Sequence, residues 1–264
     1  MSEGKSFFTD GEAYERMMGR WSRSAGGVFL DWLALPQGLR WLDVGCGTGA
    51  FSGLVLDKCA PSQVEAVDPS KDQIAFARTT PAAKQVNFRT GDAQALPFPA
   101  DAFDAAAMAL VITFVADPAK AIIEMKRVVK PGGIIGTYVW DFLNGGSPVQ
   151  PLRQAIEDTG IPVTHTAGHE NSSIGRLEDI FRAAALDQVA SRMIEIDVTY
   201  PDFDTYWQSQ TGLANSTVQY LQQMSEAEVE TVKTRLREIL PTDRAGRITY
   251  KARASAAKAR VPAH

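Results

Sequence analysis

The sequence contains little cysteine and little histidine. Of its 264 residues, two are cysteine and three are histidine. The two thiols, Cys46 and Cys59, are too few for a disulfide scaffold and are compatible with a reducing compartment. The first residues, MSEGKSFFTDGEAYER, hold no apolar stretch of the kind found in secretory signal peptides. We therefore expect a cytoplasmic protein.

Long apolar runs and an excess of positive charge are also missing. The longest apolar run, residues 105–116 with one threonine counted, covers 12 residues, whereas a membrane-spanning helix needs about 20. The formal net charge is −4 and the isoelectric point is near 5.5, so the chain as a whole does not attract nucleic-acid phosphates or anionic lipids. We expect no nucleic-acid partner and no membrane partner.

The composition is that of an ordinary globular domain, with 45% hydrophobic and 22% charged residues. Between residues 36 and 140, short apolar runs alternate with helical patterns, as in RWLDVG before a helix over 50–58 and VEAVD before a helix over 71–78. Apolar runs without polar alternation indicate strands buried on both faces, and their alternation with helices indicates a parallel sheet. We predict one α/β domain over 1–264, with residues 36–140 as the ligand-binding core.

The segments before and after this core predict additions to it. Residues 10–35 carry apolar side chains at helical spacing, interrupted at Gly26 and Gly27, and predict two short helices. Residues 141–175 are rich in glycine and proline and predict an inserted lid with one helix over 152–158.

Two later segments allow two interpretations each. Residues 200–222 predict a second part of the lid, in which Phe203, Tyr206 and Trp207 form either an acceptor wall or core packing. The last predicted strand, RITYKARAS, alternates basic or polar with apolar residues. Charged residues that protect an exposed strand explain this pattern better than a nucleic-acid contact does.

The stretch LDVGCGTGAF, directly after the first predicted strand, has alternate glycines at Gly45, Gly47 and Gly49. Glycines permit positive φ angles and let a ligand lie against the backbone, and the following helix start offers unpaired amides. Gly45, Gly47 and Ala50 also satisfy the G-x-G-x-x-G/A fingerprint of dinucleotide-binding proteins. The loop alone therefore predicts a nucleotide-like ligand without choosing the class.

Three acids follow the ends of the first three predicted strands: Asp43, Asp68 and Asp92. Asp68 is suited to accept hydrogen bonds from ribose hydroxyls, although it also precedes a helix that it or Ser70 can cap. Asp92 is suited to accept a hydrogen bond from an exocyclic amine, or it caps a turn. Because three acids around one cleft suit a cationic ligand and disfavour a pyrophosphate, they weaken the dinucleotide interpretation.

The segments LDVGCGTG, AVDPS, GDAQALPFPADAFD and ALVITFVADPAKAIIEMKRVVKPGG occur in this order over roughly residues 40 to 140. Together they resemble a class I S-adenosylmethionine-dependent methyltransferase of the small-molecule type. The resemblance implies a Rossmann-like, doubly wound sheet of seven strands, mostly parallel, whose last strand is antiparallel.

The resemblance also implies a set of cofactor-binding residues. The glycines would contact the methionine part and ribose, Asp68 the ribose hydroxyls, and Asp92 the adenine amine. Asp43 would support the loop or the ammonium group. The full set implied by the motifs is Asp43, Gly45, Cys46, Gly47, Gly49, Asp68, Pro69, Asp92, Ala93, Ala109, Leu110 and Phe114.

The N-terminal segment YERMMGRWSR resembles the helix that covers the cofactor in small-molecule members of the family. It makes Tyr14, Arg20 and Trp21 candidates to cover the cofactor, and packing of the aromatic rings on the sheet is the alternative.

A sulfonium cofactor already carries the activation for in-line methyl displacement, so catalysis requires mainly alignment and exclusion of water. A general base is needed only where the acceptor must lose a proton. The candidates are Asp141, His165 and His169. Without a third ligand the two histidines do not predict a metal site, and solvent-exposed lid histidines are the simpler interpretation.

We therefore predict S-adenosylmethionine-dependent methyl transfer to a small, partly apolar metabolite. Two alternatives remain open, an NAD(P)-dependent oxidoreductase and an S-adenosylmethionine-binding module without catalysis.

Overall fold

Seven strands form one sheet in the computed structural model, which describes residues 20–164, 167–212 and 216–263. The strands are β1 (Arg40–Val44), β2 (Gln63–Asp68), β3 (Val86–Thr90), β4 (Phe103–Ala109), β5 (Val129–Trp140), β6 (Asp187–Tyr200) and β7 (Ile248–Arg260). Their order across the sheet is β3-β2-β1-β4-β5-β7-β6. β1 to β5 pair in parallel, and β7 runs antiparallel to both of its neighbours. The predicted fold class is confirmed.

Helices cover both faces of this sheet. They are α1 (Arg20–Leu33), α2 (Ala50–Cys59), α3 (Lys71–Ala77), α4 (Pro118–Val128), α5 (Gln150–Glu157), α6 (Ile174–Ala183), α7 (Phe203–Thr211), α8 (Ser216–Gln223) and α9 (Glu226–Ile239). Apolar side chains form one buried cluster on each face of the sheet. The alanine-rich β4 is almost entirely buried, as expected for a central strand covered by helices on both sides.

The order of the strands positions the ligand site. After β1 the chain moves to β2 and β3 on one side, and it then returns to β4 on the other side of β1. Ligands of open α/β sheets bind outside the carboxyl ends of the strands at such a reversal. The loop after β1 and the turn after β4 therefore border the expected cleft.

One continuous helix replaces the predicted break at Gly26 and Gly27. A Cβ atom on Gly26 would lie 2.9 Å from a methyl group of Leu54 and 3.0 Å from the Tyr138 hydroxyl. Glycine is therefore required here for close packing of α1 on α2. The predicted helix break at this glycine was wrong.

The last strand is internal to the sheet, and β6 is the edge. The predicted alternation of β7 is observed, since Ile248, Ala252 and Ala254 are buried. On the exposed face, Lys251 lies 3.3 Å from Glu195 and 3.0 Å from Asp197 of β6. Lys251 therefore pairs with the neighbouring strand of the same sheet.

The segments predicted as lid contain regular structure. Residues 141–175 include α5 and a 3-10 helix at His169–Ser172, and residues 200–222 include α7. Within α7, Tyr206 is fully buried. The Arg237 guanidinium lies 4.0 Å from the centroid of Phe203, and the Lys233 ammonium lies 5.2 Å from that of Trp207. These aromatic rings thus pack against the core and α9.

An ionisable side chain is buried at the end of β1. Asp43 is 2% exposed, and its Oδ2 accepts a hydrogen bond of 2.6 Å from the Ser52 hydroxyl. Its Oδ1 has no hydrogen-bond partner among the described residues. Burial raises the pKa of Asp43 to about 7; the Ser52 hydrogen bond lowers the pKa, and the charge of Asp68 raises it further.

This buried acid predicts a specific loss of stability as pH rises. Because its folded-state pKa lies above the unfolded value of about 3.9, the folded state holds the proton more tightly. The stabilisation is complete below about pH 4 and is lost as pH rises to about 7. In Asp43→Asn this decline, on the order of a few kcal/mol, should be absent in urea unfolding between pH 4.5 and 8. The exposed control Asp197→Asn should keep the wild-type slope, and an unchanged slope in Asp43→Asn would contradict the assignment.

Candidate functional site

A cavity of about 490 Å³ opens at the carboxyl ends of β1, β2 and β4, where the strand order predicts a ligand. Most of the residues implied by the family motifs line it. They are Gly45, Cys46, Gly47, Asp68, Pro69, Asp92, Ala93, Ala109, Leu110 and Phe114. Among the described residues that line the cavity there are two acids and no lysine, arginine or histidine. The cavity therefore suits a neutral or cationic ligand better than a phosphate.

The three glycines of the loop have different roles. All have positive φ angles, 76° at Gly45, 51° at Gly47 and 84° at Gly49. A Cβ on Gly45 would lie 2.5 Å from Val111, and one on Gly49 would lie 2.7 Å from Phe88. A Cβ on Gly47 would have its nearest neighbour 4.0 Å away. Gly47 is therefore open to the cavity, whereas Gly45 and Gly49 allow close packing.

Asp68 holds the glycine loop against the end of β2. Its Oδ2 accepts a hydrogen bond of 2.9 Å from the Gly47 amide, and its Oδ1 accepts one of 2.9 Å from the Ser70 amide. Burial raises its pKa, and these two backbone hydrogen bonds lower it. Ser70 caps α3 through its own hydroxyl, which accepts from the Gln73 amide. The capping alternative therefore belongs to Ser70, and Asp68 faces the cavity.

Asp92 lies at the exposed edge of the cavity, beside the buried Ala93. Its Oδ1 accepts hydrogen bonds from the Gln94 amide at 2.9 Å and from the Gln94 side chain at 3.3 Å. The turn-capping role is thus present. The carboxylate also borders the cavity, so the ligand role stays a prediction.

The other end of the cavity is apolar and is formed by the turn after β4. Leu110 has a φ of 62°, a conformation that costs a leucine about 1 kcal/mol or more. Its amide donates to the Tyr138 carbonyl at 2.8 Å. Phe114 follows with 53% of its surface exposed, and Val111 and Val115 complete this end. The strained backbone holds an apolar rim beside the acidic end.

Several predicted residues do not line the cavity. Asp43 lies buried at the end of β1, Gly49 packs against Phe88, and Trp21 packs edge-on against Tyr200 at 6.3 Å. Asp141 is buried and accepts a hydrogen bond of 2.9 Å from Asn144. Asp141 thus stabilises the turn after β5 although that strand ends at the same edge of the sheet. Tyr14, the Arg20 side chain and His165 lie outside the described residues.

His169 lies in the predicted lid, beside the turn after β4. Its Nδ1 is 3.6 Å from Glu170, and the side chain is 30% exposed. The preceding Gly168 approaches the Thr113 carbonyl so closely that a Cβ would lie 2.1 Å from the oxygen. The segment that carries His169 therefore packs on the turn that carries Phe114. No group of three metal-binding side chains occurs in the part of the chain that the structure describes.

The cavity also contains residues that the sequence did not suggest, among them Ser22, Gln73, Gln94 and Tyr138. The Tyr138 hydroxyl donates to the Ser22 carbonyl at 3.3 Å and so connects β5 to α1. Its position near the carboxyl end of β5 could have indicated from the sequence that Tyr138 borders the cavity. Ser22 belongs to α1, whose continuity through Gly26 the sequence did not indicate.

No helix among the described residues is long and apolar enough to cross a membrane. This finding agrees with the short apolar runs of the sequence.

Comparison with known proteins supports the interpretation of the motifs. A family profile described as a methyltransferase domain matches residues 42–136. This range contains most of β1, all of β2 to β4 and most residues of the cavity wall.

Two curated relatives share the same region. The ubiquinone/menaquinone biosynthesis C-methyltransferase UbiE of Paracoccus denitrificans is 36% identical over 110 residues, 40% of this chain and 44% of that protein. The chloroplastic 2-methyl-6-phytyl-1,4-hydroquinone methyltransferase 2 of Oryza sativa is 40% identical over 96 residues, 36% of this chain and 28% of that protein. The matched segments cover less than half the length of either relative.

A solved structure shares the fold over a longer range. The phosphoethanolamine N-methyltransferase 2 of Haemonchus contortus, in complex with S-adenosylhomocysteine, aligns with a TM-score of 0.56 and 17% identity. The alignment covers 95% of this chain and 56% of that protein. Residues 42–136 therefore match a methyltransferase domain, and the chain as a whole shares the fold of this methyltransferase structure.

Proposed function

We propose that this protein transfers a methyl group from S-adenosylmethionine to a small, partly apolar acceptor. The observation that carries the proposal is the character of the cavity, which has acids at one end, an apolar rim at the other and no cation among its described lining residues. A cationic, phosphate-free cofactor fits this distribution, whereas the pyrophosphate of a dinucleotide does not.

The residues of the wall fit the parts of the cofactor. Gly47 leaves open space where a side chain would stand. The Asp68 oxygens each accept one backbone hydrogen bond and retain lone pairs for ribose hydroxyls. Pro69 would pack on the adenine, while Asp92 and the Ala93 amide would bind its edge. Asp43 does not line the cavity, so it would interact with the cofactor only through the electrostatic effect of its buried carboxylate.

Catalysis would depend on alignment at the apolar end of the cavity. S-adenosylmethionine, when bound, supplies a methyl group already activated by the sulfonium. Leu110, Val111 and Phe114 would exclude water and hold the acceptor in line, an effect worth several kcal/mol. Asp141 is engaged in its own turn. His169 does not line the cavity, but its segment packs on the turn that carries Phe114, and it is the remaining described candidate base.

The acceptor that we propose is a hydroquinone or related phenol. One curated relative is named as a hydroquinone methyltransferase and another as a ubiquinone/menaquinone biosynthesis C-methyltransferase. The exposed Phe114 beside Val115 offers an apolar surface to such a ring. A cofactor-binding module without catalysis is the remaining alternative, because no residue of the cavity is chemically indispensable for methyl displacement.

Binding and activity assays on the full chain test this function. Calorimetry should detect S-adenosylhomocysteine binding in the micromolar range and no NAD(H) binding. Labelled S-adenosylmethionine should then transfer its methyl group to members of a panel of hydroquinones and phenols, with amines and carboxylates for comparison. Exclusive NAD(H) binding would overturn the proposal. Cofactor binding without transfer to any member would favour the non-catalytic module.

Replacement of Asp68 tests the cofactor site. Asp68→Ala should weaken S-adenosylhomocysteine binding at least tenfold, about 1.4 kcal/mol, because it removes the ribose acceptor and releases the Gly47 amide. Ser173→Ala is the matched control, since it removes the cap of α6 away from the cavity. It should cost about 1 kcal/mol of stability and leave affinity unchanged. Wild-type affinity in Asp68→Ala would assign Asp68 a purely structural role.

Because the loop glycines have different roles, their substitution by alanine should have different effects. Gly47→Ala places a methyl group in the cavity, so the affinity for S-adenosylhomocysteine should fall several-fold with only about 1 kcal/mol lost in stability. Gly49→Ala brings a methyl group against Phe88, so the free energy of unfolding should fall further, by roughly 1–3 kcal/mol. Equal stability losses in the two variants, measured by urea unfolding, would contradict this division.

A further inference from the structure

A second cavity, of about 470 Å³, lies at the opposite edge of the sheet from the cofactor site. It is enclosed by the end of α1 and the loop after it, the start of β5 and the end of β7. Its volume falls within the range of small-molecule sites, roughly 300–1,000 Å³. The proposed methyl transfer assigns it no role.

One wall of this cavity is apolar, with Leu33, Leu35, Leu39 and Ile134 among the lining residues. On the other wall are three cations, Lys130, Lys258 and Arg260, with Asp104 as the acid. Such a combination fits a ligand with an apolar body and a charged head.

The acid is already neutralised by its neighbours. Asp104 lies 2.6 Å from the Lys130 ammonium and accepts a hydrogen bond of 2.8 Å from the Arg40 amide. Partial burial is the largest single effect and raises the pKa of Asp104, but the Lys130 hydrogen bond, the Arg40 amide and the charges of both residues together lower it below its usual value. The charges of Asp104 and Lys130 thus cancel, and Lys258 and Arg260 determine the net charge of the cavity.

These two cations have only neutral partners among the described residues. The Lys258 ammonium donates to the Trp32 carbonyl at 2.7 Å and lies 4.6 Å from the Trp32 ring centroid. Arg260 donates to the Gly132 carbonyl at 2.5 Å and to Gln188 at 3.4 Å. Asp187 pairs with Arg260 in the strand register, yet no ion pair within 4.0 Å joins these two described residues.

The cations also act on one another. The pKa of Lys258 is lowered first by burial and then by the charges of Arg192 and Arg260. Capping of α1 through the Trp32 carbonyl uses one of the three ammonium hydrogens. The other two ammonium hydrogens of Lys258 remain available to a ligand. Among the described residues no acid pairs with Lys258 or Arg260 to offset the repulsion between them.

We propose that this cavity binds a small amphipathic anion, with its acidic head between Lys258 and Arg260 and its apolar body against Leu33, Leu35 and Ile134. A carboxylate or a phosphate monoester would accept charge-assisted hydrogen bonds from both cations. The site is independent of the cofactor cavity, because the two cavities share no lining residue.

Calorimetry on the full chain tests the proposal, in the presence and absence of saturating S-adenosylhomocysteine. The probes are octanoate, octyl phosphate, octanol and inorganic phosphate. Octanoate or octyl phosphate should bind saturably, at least about tenfold more tightly than either octanol or inorganic phosphate, and binding should persist with S-adenosylhomocysteine present. The tighter of the two amphiphiles identifies the head group.

Variants locate the binding. Arg260→Gln and Lys258→Gln should each lower the affinity for the tighter-binding probe about tenfold. Lys251→Gln is the control and should leave this affinity unchanged, because Lys251 lies on the same strand but pairs with Glu195 and Asp197. Arg260 is exposed, so its variant should fold normally even where loss of the Trp32 contact destabilises Lys258→Gln. Absence of saturable anion binding, equal binding of octanol, full displacement by S-adenosylhomocysteine or unchanged affinity in Arg260→Gln would each overturn the proposal. None of these results depends on whether the protein transfers methyl groups.

Discussion

The carboxylate of Asp68 determines the geometry of the cavity at the carboxyl ends of the strands. It joins the Gly47 amide of the glycine loop to the Ser70 amide at the start of α3. Two adjacent strands of a parallel sheet end here, and this carboxylate joins the loops that follow them. Because one side chain holds both loops, the open backbone at Gly47 faces the same cavity as the acid. The amides of Gly45 and Cys46 also donate to the Val67 carbonyl, which strengthens this connection.

The turn after β4 depends on the same arrangement. Val111 fills the space beside Gly45 that a side chain would occupy, and Leu110 takes a left-handed conformation to bring it there. The strain is offset by the hydrogen bond to the Tyr138 carbonyl and by burial of the neighbouring Ile112. The acidic and apolar ends of the cavity are therefore built as one unit around the loop.

Much of the fold and of the cofactor wall followed from local sequence patterns. Buried strands, glycine spacing and acids at strand ends are local features, and they predicted Gly47, Asp68 and Asp92 at one cleft. What could not be predicted were contacts between distant segments. Gly26 resembled a helix break because its neighbours Leu54 and Tyr138 come from other elements. Asp141 was expected at the cleft from its strand-end position, but Asn144 and the turn hold it away. Trp21 shows the same limit, since only the placement of Tyr200 decides which way its ring faces.

The buried carboxyl group of Asp43 has a consequence for ligand binding itself. With a pKa of about 7, this group is partly protonated at neutral pH. A cation bound in the adjacent cavity would lower that pKa, since it favours the charged form. Cofactor uptake would then release a fraction of a proton to the solvent. The heat of binding would vary with the ionisation enthalpy of the buffer, so that loading of the site becomes visible as an exchange of protons.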